Sequence, residues 1–243
     1  MKSNKDRVLS FSLPWLSFRL LQARSEVLSS GIPNALLVEG REGLGKNLLV
    51  DLLAQDLLCG KKKFSGEFCG VCQDCHFSSI NCHPDRAVLP ISDNENKLKI
   101  SISDVRSVVS LLSKTPKRGI ARVLVIKAAE NLGQESGNAL LKILEDSSKD
   151  TFFLLTTSKP FEVLPTIRSR CQRKSVSMPK YNMIFNWLTS ISEYDNKIPS
   201  DLTAEEILIR SGNIGSVRIG AVSYTHLRAH ETSLHLVCRL LLE

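Results

Sequence analysis

The sequence predicts an α/β fold: a mostly parallel sheet flanked by helices, built on a phosphate-binding loop, with an inserted cysteine-rich module and a small helical domain behind it. Three observations carry this. Residues 35–47 read Ala-Leu-Leu-Val-Glu-Gly-Arg-Glu-Gly-Leu-Gly-Lys-Asn: a short apolar strand, a glycine-rich turn and the start of a helix. From there to residue 171, short apolar runs alternate with helical periodicity, the rhythm of strand–helix–strand units. Five of the seven cysteines, Cys59, Cys69, Cys72, Cys75 and Cys82, fall between residues 59 and 82.

The 243 residues are 42% hydrophobic and 23% charged, an ordinary globular composition. No stretch approaches the ~18 apolar residues that cross a bilayer. The basic N-terminus has its apolar stretch broken by Ser12, Pro14 and Arg19, and it lacks a small-residue cleavage site. It does not read as a signal peptide, and a cytoplasmic protein without a membrane partner is expected. The net charge of +7 suits an acidic partner such as nucleic acid. Lys61-Lys62-Lys63 and the group Lys114, Lys117, Arg118 and Arg122 are its visible concentrations.

Residues 1–12 read as polar and loose. Leu13-Pro14-Trp15-Leu16 leads into a helical pattern with Leu20, Leu21, Val27 and Leu28, which Ser29, Ser30, Gly31 and Pro33 break. The strand Ala35–Val38 follows. Gly40, Gly43, Gly45 and Lys46 then have the spacing at which backbone N–H groups and a lysine converge on phosphate oxygens, at the positive end of the next helix. That helix carries Leu48, Leu49, Leu52, Leu53, Leu57 and Leu58. Asn47 stands where such loops place the Ser or Thr whose hydroxyl meets magnesium, so ATP binding is left open.

Cys69-Gly-Val-Cys72-Gln-Asp-Cys75 contains two overlapping Cys-x-x-Cys turns, each able to place two thiolates on one tetrahedral metal. Clustered cysteines in a reducing compartment point to metal rather than disulfides, and no thioredoxin-like strand precedes them to suggest a redox pair. The fourth ligand is Cys59 or Cys82, and spacing alone does not choose. His76 and His83 are read as bystanders. Four protein ligands leave no open position, so a structural zinc site is expected.

His83-Pro84-Asp85 precedes a second strand, Ala87-Val88-Leu89. Ser101 or Ser103 caps a helix with Val105, Val108, Val109, Leu111 and Leu112. Val123–Ile126 reads as a strand buried on both faces. In an active phosphate-loop ATPase such a strand ends in a carboxylate that holds magnesium. Here Lys127-Ala128-Ala129 takes that place, and Glu130 comes late enough to begin the next helix. With Asn47, two parts of a magnesium site are missing, so hydrolysis by the isolated chain is not expected. Asn138–Asp146 is a further helix, and Thr151–Leu155, ending in Thr156-Thr157, a further strand. Leu164 to Cys171 follows. After Met178-Pro179 the strand signals stop. Phe185–Ile191 and Leu202–Ile209 read as helices of a second domain.

The ordered set Leu13-Pro14-Trp15-Leu16, the phosphate loop, Cys59 with Cys69, Cys72 and Cys75, His83-Pro84-Asp85, Asn138-Ala-Leu-Leu-Lys-x-Leu-Glu145 and Ser169-Arg170-Cys171 resembles one family closely. This is the clamp loader of bacterial DNA polymerase III, and within it the delta-prime subunits. The resemblance spans about residues 13–215. It implies an AAA+ domain over 1–177 with the zinc module at about 59–82, a helical lid domain over 178–220, and a C-terminal collar domain that this chain lacks. It also implies Cys59, Cys69, Cys72 and Cys75 as the zinc ligands. The Ser-Arg-Cys arginine, Arg170, would be catalytic in trans, reaching ATP held by a neighbouring motor subunit. Thr157 would occupy a sensor position near the γ-phosphate, and Cys171 would be packing. Motor subunits keep Lys-Thr or Lys-Ser in the loop and an Asp-Glu pair after the strand, and this chain has neither. The implied role is a non-hydrolysing stator that works with the gamma/tau motor subunits, delta, the sliding clamp and primer–template DNA.

Residues 221–243, with His226, His230 and His235, match nothing expected of that family and read as a non-native tail. Two other functions compete: an ATP-hydrolysing motor subunit, disfavoured by Asn47 and Lys127, and a zinc-ribbon nucleic-acid binder, disfavoured by the lack of a basic recognition helix.

Overall fold

The structure is a computed structural model that describes residues 13–29, 34–61, 67–90, 99–112, 115–118, 121–146 and 150–180, with 182, 183 and 186. Most of the expected second domain (178–220), the tail, Lys62, Lys63 and Lys114 lie outside these residues. The chain divides into two compact units. One is Phe18–Gly40 with Lys46–Val176; the other is Met1–Ser17, Arg41–Gly45 and Ser177–Glu243.

The larger unit holds a five-stranded, all-parallel sheet of order β2-β3-β4-β1-β5. The strands are β1 (Ala35–Glu39), β2 (Arg86–Leu89), β3 (Arg122–Ile126), β4 (Thr151–Thr157) and β5 (Gln172–Ser175). The helices are α1 (Pro14–Ser29), α2 (Lys46–Leu58), α3 (Gln73–Ser79), α4 (Ile102–Leu112), α5 (Gln134–Asp146) and the short α6 (Pro165–Arg168). The central strands β1, β3 and β4 are almost wholly buried, as their uninterrupted apolar runs require.

Alternation along the strands divides their side chains between two faces. Leu37, Leu124, Ile126, Phe153 and Leu155 join Val105, Val108 and Leu112 of α4 and Leu140 of α5 in one core cluster. On the other face, α2 packs on β3 and β4 and buries Val50, Leu53, Ala54 and Leu57. Ser101 settles the choice of cap for α4, since its hydroxyl accepts the Asp104 N–H at 3.2 Å. Arg122, one of the charges grouped with Lys114, Lys117 and Arg118, is not on the surface. It is buried at the start of β3, where Nη1 donates to the Leu112 carbonyl at the end of α4 and Nη2 donates to Thr151 Oγ1 at 3.0 Å. A guanidinium there satisfies a carbonyl that the helix end leaves without a partner.

One local expectation changes, and one strand was not anticipated. Glu130 does not begin a long helix; Ala129–Asn131 is a single 3-10 turn and α5 starts at Gln134. β5 carries no apolar signal, because Gln172-Arg-Lys-Ser175 is a mostly exposed edge strand. Its place is fixed by pairing, with Leu36 opposite Gln172 and Val38 opposite Lys174.

Candidate functional sites

The phosphate-loop sequence does form a strand–turn–helix. In the smaller unit, Gly43 and Gly45 take φ of 77° and 84°. A Cβ on Gly45 would lie 2.3 Å from Leu13 Cδ1 and 2.9 Å from Leu16 Cδ1, so these side chains would have to shift, and the positive φ itself favours glycine. Trp15 Nε1 donates to the Leu44 carbonyl at 3.0 Å. The Leu-Pro-Trp-Leu stretch is thus packing for the turn, with Leu13, Trp15 and Leu16 all buried.

In the larger unit, the end of β4 engages the start of α2. Gly40 N–H donates to the Thr157 carbonyl at 3.3 Å. Lys46, 7% exposed, donates to Ser158 Oγ at 3.0 Å. Thr156 Oγ1 donates to Asn47 Oδ1 at 2.8 Å and accepts the Ala128 N–H at 3.3 Å. Thr157 is fully buried, and its Oγ1 accepts the Lys159 N–H at 3.0 Å. Glu130 Oε1 accepts the Ser158 N–H at 3.2 Å. At the end of β3, Lys127 Nζ donates to Asp51 Oδ2 at 3.2 Å, while Arg86 Nη2 holds Asp51 Oδ1 at 2.6 Å. An ammonium–carboxylate pair therefore stands where a magnesium-binding strand end would present a carboxylate.

The cysteine module has the geometry of a metal site. The sulfurs of Cys59, Cys69, Cys72 and Cys75 lie within 4.8 Å of one another. Cys59 and Cys72 are 3.7 Å apart, and Cys69 and Cys75 are 3.9 Å apart. Zinc–thiolate bonds of ~2.3 Å give a tetrahedral edge of about 3.8 Å, so the four residues fit that ion. Each sulfur also accepts at least one backbone N–H, among them Cys59 from Cys69, Cys69 from Cys72 and Cys75 from Gly70 at 3.3 Å, and Cys72 from Cys75 at 3.4 Å. Such donors favour thiolate over thiol. Burial opposes ionisation of Cys69, but these N–H groups and the neighbouring sulfurs outweigh it and bring its pKa to about 6. Cys82 is exposed and outside the cluster, which leaves Cys59 as the fourth member. His83 is buried but also outside it, and His76 is exposed.

The module is fastened to the sheet through polar residues. Asp85 accepts the backbone N–H groups of Lys117 and Arg118 at 2.7 and 2.8 Å. Arg118 Nε then donates to Asp74 Oδ1 at 2.7 Å, and Nη2 donates to Gln73 Oε1 at 3.1 Å. Its guanidinium lies 5.9 Å from the Phe77 ring centre. Burial of Asp74 opposes its charge, and the Arg118 hydrogen bond and charge more than reverse this, lowering its pKa.

Arg170 follows α6 and is half-exposed. Its Nε donates to Glu145 Oε1 at 2.6 Å, its Nη2 pairs with the same carboxylate, and its Nη1 donates to the Thr166 carbonyl at 3.1 Å. Cys171 beside it packs in the core, where burial pushes its pKa up to about 12.

A family profile described as DNA polymerase III, delta subunit, matches residues 19–180. The delta-prime subunit of Haemophilus influenzae is 31% identical over 186 residues, 76% of this chain and 55% of that protein. The chain belongs to the DNA polymerase III delta-prime family. The tau subunit of Escherichia coli is also similar, at 30% identity over 200 residues, 82% of this chain and 30% of tau. Domain III of the Thermotoga maritima replication initiation protein DnaA superposes with a TM-score of 0.52 at 14% identity, covering 100% of both chains. The fold is thus the AAA+ P-loop fold. The chain spans about half the length of the curated delta-prime relatives it matches.

Within this delta-prime family member, sequence reasoning missed Asp51, Ser158, Asp74 and the role of Arg118. Their partners are 35 to 112 positions away in the chain, and no local spacing reports such pairs. Among the described residues no helix is long and apolar enough to cross a membrane.

Proposed function

We propose that this chain is the non-hydrolysing stator subunit of a DNA polymerase III clamp loader. It would assemble in the cytoplasm with gamma/tau motor subunits and delta, and help place the sliding clamp on primer–template DNA. The observation that carries this reading is Lys127 at the end of β3, paired with Asp51 where a motor needs a free carboxylate for magnesium. Asn47, engaged by Thr156, supports it by offering no magnesium hydroxyl. The four-cysteine cluster holds zinc in this reading, through Cys59, Cys69, Cys72 and Cys75, and the ion braces the segment between α2 and β2. Gly40, Gly43, Gly45, Lys46 and Asn47 remain as a loop inherited from nucleotide-binding ancestors, and Thr157 at the end of β4 as its former sensor. Arg170 serves the chemistry of a neighbour, supplying a permanently charged, planar donor to the phosphoryl group transferred there.

The test is steady-state ATP hydrolysis by the full-length protein, alone and combined with motor subunits, delta, clamp and primed DNA. The reading expects no turnover alone, strong turnover in the mixture, and at least a tenfold fall with Arg170→Ala, since arginine fingers contribute ~10³–10⁵ in other systems. The similarity to tau favours one second reading, a motor subunit. Turnover by the isolated chain that disappears with Lys46→Ala would establish that reading instead.

A further inference from the structure

We propose that Glu145 is the positioning residue for Arg170, closing one edge of its guanidinium and leaving the opposite fork for a phosphoryl group on a neighbouring subunit. This inference rests on the in-trans role given to Arg170 above.

A guanidinium has five N–H donors in a fixed plane. Arg170 Nε and Nη2 both engage the Glu145 carboxylate, which occupies the edge between them. Nη1 sends one hydrogen back along its own chain to the Thr166 carbonyl at 3.1 Å. Among the described residues no partner takes the two remaining N–H groups, one on each terminal nitrogen. That parallel pair is the geometry with which arginine grips two oxygens of one phosphate. The side chain is 42% exposed.

The fold has little need of this contact for itself, because exposed ion pairs contribute little to stability. Yet two different elements hold the side chain: Glu145 near the end of α5 and Thr166 within α6. Glu145 closes the Asn138–Glu145 stretch, a motif that the stator role otherwise leaves without a task. Fixing a long, flexible donor before the phosphate arrives is a means of lowering a transition-state barrier without strengthening ground-state binding.

The experiment is ATP turnover by the assembled complex of full-length protein, motor subunits, delta, clamp and primed DNA, with Glu145→Ala, Glu145→Gln, Arg170→Ala and the Glu145→Ala/Arg170→Ala pair. Glu145→Ala should lower kcat about tenfold through misplacement of the finger, with KM for ATP little changed. Glu145→Gln keeps an oxygen acceptor and should retain most of the rate. The double variant should be no slower than Arg170→Ala alone, since a residue acting only through Arg170 has nothing left to position. A kcat unchanged by Glu145→Ala, with Arg170→Ala impaired, would overturn the positioning role alone. So would losses that add in the double variant, which is the pattern of a purely structural residue. A silent Arg170→Ala would remove the in-trans role itself, and this inference with it.

Discussion

Arg118 and Asp74 form a contact between the turn before β3 and a residue flanked by Cys72 and Cys75, with Nε 2.7 Å from Oδ1. Asp74 is buried and next to Cys75 of the cluster proposed to hold zinc, so its partner also governs how firmly that cysteine is held. Arg118→Ala removes the guanidinium from the buried Asp74 carboxylate and leaves it beside Cys72 Sγ at 3.9 Å and His83 Nε2 at 3.7 Å. The expected result is zinc affinity weakened about tenfold or more, read by competition with a chromogenic chelator. An affinity equal to that of the parent would show that the contact serves the surface only.

The four-cysteine geometry makes a sharper distinction between two neighbours in sequence. Cys59→Ser should abolish stoichiometric zinc and lower the melting temperature, because three thiolates no longer enclose the ion. Cys82→Ser should retain both, as its side chain is exposed and apart from the cluster. Metal content by elemental analysis of the purified variants decides the matter.

Gly45→Ala tests the packing over the phosphate loop. The added methyl would meet Leu13 at 2.3 Å, and φ of 84° is strained for any L side chain. A loss of about 1–3 kcal/mol in unfolding free energy is expected from urea titration. Gly133→Ala is the control, since a Cβ there meets nothing within 4 Å.

His83 gives the protein a defined response to acid. Burial lowers its pKa from 6.5, partly offset by the Asp85 and Asp74 charges, so the native state holds the neutral ring. Its Nδ1 accepts the Asp85 N–H at 3.1 Å, which places the ring proton on Nε2. The unfolded chain takes up a proton at higher pH than the native state does. The stabilising contribution is therefore present above pH 6.5 and lost as pH falls below it. Thermal melts at pH 7.5 and 5.5 should show a larger drop for the parent than for His83→Gln. Equal drops would assign the acid sensitivity to other groups.

These relationships also show what a sequence can and cannot disclose. β1, β3 and β4 were legible because burial on both faces demands unbroken apolar runs, and local composition records that demand. β5 was not, because an edge strand of polar residues has no such requirement and exists through its pairing with β1. Cys69, Cys72 and Cys75 stood out by spacing, whereas the choice between Cys59 and Cys82 needed the return of the chain in three dimensions. Lys127 was recognisable as a replaced carboxylate. That it would find Asp51 on the first turns of α2 was not, since 76 residues separate them.

The polar make-up of β5 has one more consequence. Among the described residues, only one side of this strand is hydrogen-bonded to the sheet. Arg173 reaches across to Glu39 with contacts of 2.6 and 2.9 Å, and Lys174 follows it. A free strand edge invites other chains to add to it and grow into aggregates, and closely spaced cations beside that edge repel an identical copy. The residues that hid this strand from view in the sequence are thus the ones that discourage an identical copy from adding to the sheet.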